Sequence, residues 1–153
     1  MIESAEARLQ RFLLSGVGVT MPHSDSIETA PDPHDLATLT TAMPADANPS
    51  GDIFGGWLMS QMDLAAGNIA ARISRGRVAT IAVDGMVFLT PVQVGDEVSV
   101  YAKLISVGRT SMKMKVDAYR RPRESEEKTR VTEAMFTFVA IDGMGKPRPV
   151  HGE

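Results

Sequence analysis

Cysteine is absent from the sequence, and histidine is scarce. Without cysteine the chain has no disulfide, no thiolate nucleophile and no cysteine-ligated metal. The histidines are His23, His34 and His151, so residues 35–150 contain none. This distribution argues against a Ser-His-Asp triad and against a histidine-rich zinc or iron site in the interior of the chain. We therefore expect no metal, and any acid–base or nucleophilic chemistry must use carboxylates, hydroxyls and backbone dipoles.

Long apolar runs and a strong excess of one charge are also missing. No run approaches the roughly 20 apolar residues that a membrane-spanning helix needs. The net charge of −3 gives no reason to expect nucleic acid as the main partner. The 153 residues are enough for one domain with its own core. We expect a cytoplasmic protein, with which the lack of cysteine is consistent.

The chain divides into three parts by composition. Residues 1–35 are expected to form a flexible leader: residues 1–15 have the spacing of a short amphipathic helix, and the following residues are rich in Gly, Pro, Ser and Asp. The folded domain is expected at residues 36–148, with a tail at 149–153.

The most informative segment is residues 48–57, which read Asn-Pro-Ser-Gly-Asp-Ile-Phe-Gly-Gly-Trp. Asp52 precedes two adjacent glycines, Gly55 and Gly56, and these open a long apolar segment at 57–74 that predicts a buried helix. Adjacent glycines at a helix start leave backbone N–H groups uncovered, and the helix dipole makes that end partly positive. A carbonyl oxygen resting there would be polarised while Asp52 acts on the carbon, which suits acyl transfer or hydrolysis.

The remaining segments predict a sheet. Strand patterns occur at residues 36–42, 77–89, 97–107, 110–121 and 129–141, with Gly85 as a possible bulge. The short links between them favour antiparallel neighbours. One apolar helix packed on one curved antiparallel sheet, an α+β fold, is the economical arrangement. Because such a sheet leaves unpaired edges, we expect a homo-oligomer, at least a dimer.

Residues 43–63 resemble the YciA-type acyl-CoA thioesterases over a long motif that includes Gly51-Asp52-Ile53-Phe54-Gly55-Gly56-Trp57. Shorter matching stretches follow in the same order: Gly76-Arg77-Val78, Val83-Asp84-Gly85-Met86-Val87-Phe88, Pro91-Val92-Gln93-Val94-Gly95-Asp96 and Thr132-Glu133-Ala134-Met135-Phe136. The similarity covers roughly residues 36–148 and leaves out the leader.

This resemblance implies a hotdog fold, in which an antiparallel sheet of five or six strands wraps around a long central helix. It implies hydrolysis of acyl-CoA thioesters, a reaction of fatty acid metabolism, without a metal or redox cofactor. It further implies dimers with a continuous sheet, assembled into hexamers as trimers of dimers, with active sites between subunits. Asp52 matches the catalytic carboxylate of the family, Gly55 and Gly56 match the thioester-polarising element, and Asn48 matches the common pattern. Pro49 and Ser50 depart from the small residues usual there.

The carboxylates have more than one interpretation. Asp52 could activate water, could attack the thioester to form an anhydride, or could merely be a turn residue or a helix cap. Asp63 is the alternative catalytic carboxylate, because other hotdog branches use an acidic residue on this helix. Its structural interpretation is an interface residue hydrogen-bonded to a neighbouring chain.

Binding of coenzyme A has its own candidates. Arg109 is predicted to meet a phosphate, and the hydroxyls of Thr110 and Ser111 to meet the pantetheine arm. Arg77 is a weaker candidate for the same charge. The structural alternative for residues 108–111 is an ordinary hairpin turn.

Two functions of different classes follow. The preferred one is a hydrolase that converts acyl-CoA and water into a free acid and CoA. The alternative is a non-catalytic hotdog protein that binds acyl-CoA as a sensor or regulator. A hydratase on the same fold is disfavoured, because it would require a histidine in the core.

Overall fold

The computed structural model describes residues 30–152. The predicted amphipathic helix at 1–15 and most of the predicted leader lie outside the described residues. The last part of that leader forms a short 3-10 helix, Pro33–Asp35, in which Asp32 caps the first turn by accepting a hydrogen bond from the His34 amide.

One long helix, α1, spans Gly55–Ser74. It begins two residues before the predicted apolar segment, since both glycines are helical. Its buried apolar positions, which recur three and four residues apart, are Leu58, Met62, Ala65, Ala66 and Ala70. The small residues among them let the helix lie close to the sheet. Arg75 ends α1 in the left-handed conformation, at φ 52°.

The sheet has five antiparallel strands, β1 (Leu36–Thr41), β2 (Val78–Asp84), β3 (Glu97–Val107), β4 (Ser111–Arg121) and β5 (Thr129–Ala140). Their order across the sheet is β1-β3-β4-β5-β2, so β1 and β2 form the two edges. The α+β prediction of one helix on one curved antiparallel sheet is confirmed.

The core lies between α1 and one face of the sheet. Alternate residues of the central strands point to the helix, which places the fully buried side chains Val98, Val100, Met112, Met114, Val116, Phe136 and Phe138 in one layer. The opposite face carries polar and aromatic side chains, among them Tyr101 and Tyr119. The helix contacts all five strands.

The prediction for β2 was wrong in two details. The strand ends at Asp84 rather than at residue 89, because Gly85 takes a positive φ of 71° that turns the chain out of the sheet. The bulge lies between Thr80 and Ala82, where the pairing with β5 shifts, and not at Gly85. The other strand predictions are confirmed to within one residue at each end.

The C-terminal segment packs against the end of α1. Arg148 donates from Nη2 to the Ser74 carbonyl at 3.0 Å and from Nε to the Ile141 carbonyl at 3.1 Å. Gly76 leaves room for this guanidinium, since a Cβ at residue 76 would overlap it. Val150, in the segment expected as a tail, is 2% exposed and its amide donates to the Arg109 carbonyl at 2.9 Å. Residues 148–150 therefore join the C-terminal end of α1 to the turn between β3 and β4.

Candidate active site

Asn48 shapes the loop that carries Asp52. Its side-chain oxygen accepts hydrogen bonds from the amides of Ser50, at 3.0 Å, and Asp52, at 3.1 Å. The Asn48 amide in turn donates to the Asp52 carbonyl at 2.8 Å. Gly51 has a positive φ of 84°, which favours glycine in the turn. In this protomer Asn48 thus positions the backbone around Asp52, and the unusual Pro49-Ser50 pair is accommodated in the same turn.

The carboxylate of Asp52 is exposed and has no protein partner within residues 30–152. It does not cap α1: Phe54 is the N-cap residue, and no side chain there accepts a hydrogen bond from the first turn. The capping interpretation of Asp52 was therefore wrong, whereas the turn-residue interpretation agrees with the hydrogen bonds between Asp52 and Asn48. A carboxylate that is free of structural bonds can accept a proton or approach a carbon without a loss of protein contacts.

The amides of Gly55 and Gly56 have no hydrogen-bond acceptor in the described part of the chain. The first amides of α1 that do have one are Trp57, at 3.1 Å, and Leu58, at 3.4 Å, and both donate to the Phe54 carbonyl. Two unsatisfied N–H groups at the positive end of a 20-residue helix form a donor pair for an anionic oxygen.

Two aromatic rings flank this donor pair. A Cβ placed on Gly55 would lie 2.8 Å from Cζ of Phe88, and one placed on Gly56 would lie 3.3 Å from Cδ2 of Phe54. The absence of side chains at both glycines therefore makes room for the rings as well as exposing the amides. Sequence reasoning did not single out Phe88, because it lies far from the glycines along the chain and only the fold brings it to them.

Asp63 lies on α1, two turns beyond the glycines. Its Oδ1 accepts a hydrogen bond of 2.5 Å from the Thr80 hydroxyl on β2. This hydrogen bond is made within one chain, and the predicted hydrogen bond to a neighbouring chain stays a prediction. Asp63 thus ties α1 to an edge of the sheet, and eight residues of helix, about 12 Å, separate it from Gly55.

The candidates for CoA binding lie together at one end of the sheet. The carbonyls of Thr110 and Arg77 accept hydrogen bonds from consecutive amides, those of Ala140 and Ile141, each at 2.9 Å. Arg77 also donates to the carbonyls of residues 142 and 143, at 3.4 and 3.3 Å. The side chain of Arg109 is exposed at the tip of the β3–β4 turn, and the Ser111 carbonyl closes that turn by accepting from the Gly108 amide at 2.8 Å.

Within one protomer these residues are far from the glycine pair. Arg77 follows the C-terminal end of α1, whereas Gly55 and Gly56 form its N-terminal end, and 20 helical residues span about 30 Å. The structure therefore brings together Asn48, Asp52, Gly55 and Gly56 at one end, and Arg77, Arg109, Thr110 and Ser111 at the other.

Residues 30–152 contain no cluster of three or more side chains suited to hold a metal ion. None of the helices in this range has both the length and the apolar character needed to cross a membrane.

Both a family model and the sequence of a curated relative match this chain. Residues 50–127 match the family model described as Thioesterase superfamily. The acyl-CoA thioester hydrolase YciA of Escherichia coli strain K12 is 49% identical over 117 residues, which cover 74% of this chain and 89% of that protein.

Solved structures agree with this sequence similarity. HI0827, described as a hexameric broad-specificity acyl-coenzyme A thioesterase, superposes with a TM-score of 0.73 and 47% identity over 77% of this chain and 82% of its own. Cj0915 of Campylobacter jejuni, described as a hexameric hotdog-fold thioesterase, gives a TM-score of 0.70 with 40% identity, covering 75% of this chain and 89% of its own. The predicted hotdog fold is thereby confirmed.

Proposed function

The chain belongs to the thioesterase superfamily and hydrolyses acyl-CoA thioesters, and we propose that Asp52, Gly55 and Gly56 carry this reaction. The observation that supports these residues most is a carboxylate without a protein partner, held three residues before two amides without acceptors. In this proposal the thioester carbonyl oxygen lies at the two amides, and Asp52 acts at the carbonyl carbon. Asn48 contributes by fixing the backbone of the Asp52 loop.

The two amides stabilise the charge that develops on the carbonyl oxygen. When a nucleophile adds to the carbonyl carbon, the oxygen becomes an oxyanion, and the positive end of α1 attracts it more strongly than the neutral ground state. Collapse of this intermediate breaks the carbon–sulfur bond and releases CoA through its sulfur atom. Because the amides are already oriented by the helix, no reorganisation is needed as the charge forms.

Asp52 has two possible roles in forming the new bond. As a general base it takes a proton from water while the water oxygen bonds to the carbonyl carbon, and it then returns the proton to the departing sulfur. As a nucleophile its own oxygen bonds to that carbon, which gives a mixed anhydride and CoA, and water then opens the anhydride. A single turnover in oxygen-18 water, followed by mass spectrometry of the peptide that contains Asp52, tests the nucleophilic role, because water that opens the anhydride at the aspartyl carbon leaves label in Asp52. Label in Asp52 would contradict the general-base role.

The experiment that tests the site compares Asp52→Asn with Asp63→Ala in an assay of CoA thiol release. We expect Asp52→Asn to lower kcat by about 10²–10⁴-fold, the range for loss of general-base catalysis, while the thermal unfolding midpoint stays close to wild type. An Asp52→Asn variant with wild-type turnover would disprove the proposed site. The assay also tests the sensor alternative, in which acyl-CoA binds without thiol release.

We further propose that the complete site forms between two protomers. The edge strand β2 has unpaired backbone groups, and pairing with a second β2 would make a continuous sheet. Antiparallel self-pairing sets the beginning of one β2 beside the end of the other. The partner's Arg77 end would then face this protomer's glycine end. Arg109, Thr110 and Ser111 of one chain would thereby bind the CoA whose thioester lies at Gly55 and Gly56 of the other.

Hybrid assemblies test this sharing directly. Asp52→Asn alone should be inactive, and Arg109→Ala alone should turn over with a raised KM, because a phosphate contact is lost. Co-expression of the two variants with different purification handles gives mixed dimers. If the site is shared, one site of each mixed dimer contains both native side chains and shows the wild-type KM. Retention of the raised KM in the mixed dimers would place Arg109 in the same chain as its Asp52.

We propose the same hexamer that HI0827 and Cj0915 are described as forming, built as a trimer of such dimers. Sedimentation at several protein concentrations measures this directly. The cytoplasmic location and the independence from cofactors remain predictions, which cell fractionation and turnover by chelator-treated protein would check.

A further inference from the structure

Phe88 lies directly against the first residue of α1. Three atoms of its ring occupy the space beside the Gly55 Cα, at 2.8, 3.1 and 3.4 Å from the position that a Cβ would take. In an α-helix the Cα–Cβ bond is tilted toward the N-terminus. A ring at that position therefore borders the end of the helix toward which the free amides of Gly55 and Gly56 point.

The ring is held there by an anchored loop. Gly85, with its positive φ, starts the loop, and Met86 packs against the core. The Leu89 amide then donates to the Val131 carbonyl at 2.7 Å. The loop ends at Asp96, whose buried carboxylate accepts from the Gln93 amide at 2.9 Å and from Arg120 at 3.0 Å. Phe88 therefore lies between fixed points, and yet 42% of its surface is exposed.

When substrate is bound, the apolar acyl chain lies beside the exposed, fixed ring of Phe88. The acyl chain begins at the carbonyl carbon, whose oxygen is proposed to lie at the two amides. Its first methylene groups are therefore only a few covalent bonds from the oxygen that is proposed to lie beside Gly55. Contact with the ring would remove apolar surface of both groups from water.

We propose that Phe88 is a specificity-determining residue whose ring contacts the first methylene groups of the acyl chain. This inference rests on the proposed function, because it takes the position of the carbonyl oxygen from the Gly55 and Gly56 amides. A chain of several carbons gains from this contact, whereas an acetyl group has only one methyl group to offer.

The experiment measures kcat/KM for acetyl-CoA, butyryl-CoA and hexanoyl-CoA with Phe88→Ala, Phe88→Leu and Val87→Ala. Burial of one methylene is worth a few-fold in binding, so loss of contact with two of them predicts a drop of about tenfold in the hexanoyl-to-acetyl ratio for Phe88→Ala. Phe88→Leu should show a smaller drop, and it serves as the second variant if Phe88→Ala folds poorly. Val87 is the matched control: it is 63% exposed in the same loop and is not among the atoms nearest to Gly55 or Gly56, so Val87→Ala should keep the wild-type ratio.

Several outcomes would overturn the inference. An equal loss for all three substrates, or an increase for hexanoyl-CoA, would show that the ring does not bind the chain. A change of assembly size with an unchanged ratio would show that a second copy covers the ring instead. In each case measurable acetyl-CoA turnover by the Phe88 variants still agrees with the proposed catalytic residues. The proposal for the catalytic residues is instead disproved by wild-type turnover of Asp52→Asn, which is a separate measurement.

Discussion

Asp52 and Asp63, the two candidate catalytic carboxylates, differ in what they contact. Asp52 is exposed and has no partner among the described residues, whereas Asp63 accepts a short hydrogen bond from Thr80. A carboxylate that is engaged with a hydroxyl in this way joins α1 to β2, and one without a partner is available to substrate. The same residue type thus has a structural role in one place and is suited to chemistry in the other.

Removal of the Asp63 carboxylate should lower stability more than catalysis. We expect Asp63→Ala and Thr80→Val each to reduce the free energy of unfolding by about 1 kcal/mol, and the double variant to lose little more than either single one. Chemical denaturation of the four proteins measures this coupling. If Asp63→Ala instead abolishes thiol release as completely as Asp52→Asn while remaining folded, Asp63 is the principal carboxylate.

A side chain at Gly56 should stop turnover in a folded protein. A Cβ there lies 3.3 Å from the Phe54 ring, and the branched side chain of Gly56→Val would cover the neighbouring amides. Loss of one oxyanion donor costs about 10²–10³-fold in kcat, and we expect at least this loss. Circular dichroism of the variant provides the control for folding, and a wild-type kcat would show that the amides do not polarise the thioester.

At the scale of the elements, turn residues decided how well the strands were predicted. The limits of β3 and β5 agree with the prediction because Asp-rich, Gly-rich and charged links flank alternating apolar positions. The predicted end of β2 was too late, because residues 86–89 are apolar and strand-like in sequence although Gly85 turns them away to the helix start. Local patterning describes which residues prefer a strand, but the hydrogen bond from Leu89 to Val131 is set by the tertiary fold.

On the outer face of β4 and β5, the carboxyl group of Asp117 makes the stability of the protein depend on pH. Burial raises the pKa of Asp117 from its usual 3.8, although Lys115 and Arg130 act in the opposite direction. Arg130 lies 3.6 Å from this carboxylate and donates to the Tyr119 hydroxyl. The folded protein therefore keeps this proton to a higher pH than the unfolded chain does.

The contribution of Asp117 to the free energy of unfolding should accordingly fall as pH rises from 3.8 through the raised pKa of Asp117 in the folded protein. We expect Asp117→Asn, which stays neutral, to be at least as stable as wild type at pH 7, with an advantage that shrinks toward pH 4. Thermal unfolding midpoints of both proteins at equal concentration measure the difference. A clear loss of stability at pH 7 would mean that the pairing with Arg130 outweighs the cost of burial.

For the whole molecule, the candidate site residues fall into two separate groups. The motif at 48–57 identified one end of α1, and the residues around Arg109 identified a second polar group. The predicted helix already places Arg77 about one helix length from the glycines, but no local pattern could reveal that Arg109 lies at the same end as Arg77, because this follows from the strand order β1-β3-β4-β5-β2. The separation makes a shared site between protomers the simplest way to use both groups.

Disruption of the β2 edge should therefore reduce assembly and activity together. Ile81 lies at the bulge of this edge strand and is 60% exposed. A lysine there places a charge where a second strand would pair, so we expect Ile81→Lys to give smaller species in sedimentation and a loss of thiol release. Ile105 is the matched control, since it is 51% exposed at a bulge in β3, which β4 and β5 separate from the β2 edge. Full activity of a monomeric Ile81→Lys protein would contradict the shared site.

The anchoring of residues 148–150 has a practical consequence for handling the protein. Because Arg148 holds the end of α1 and Val150 is bonded to Arg109, anything fused after residue 153 emerges only a few residues from the proposed phosphate-binding turn. An affinity tag or fluorescent fusion at the carboxyl terminus would therefore compete with substrate or shift its apparent affinity.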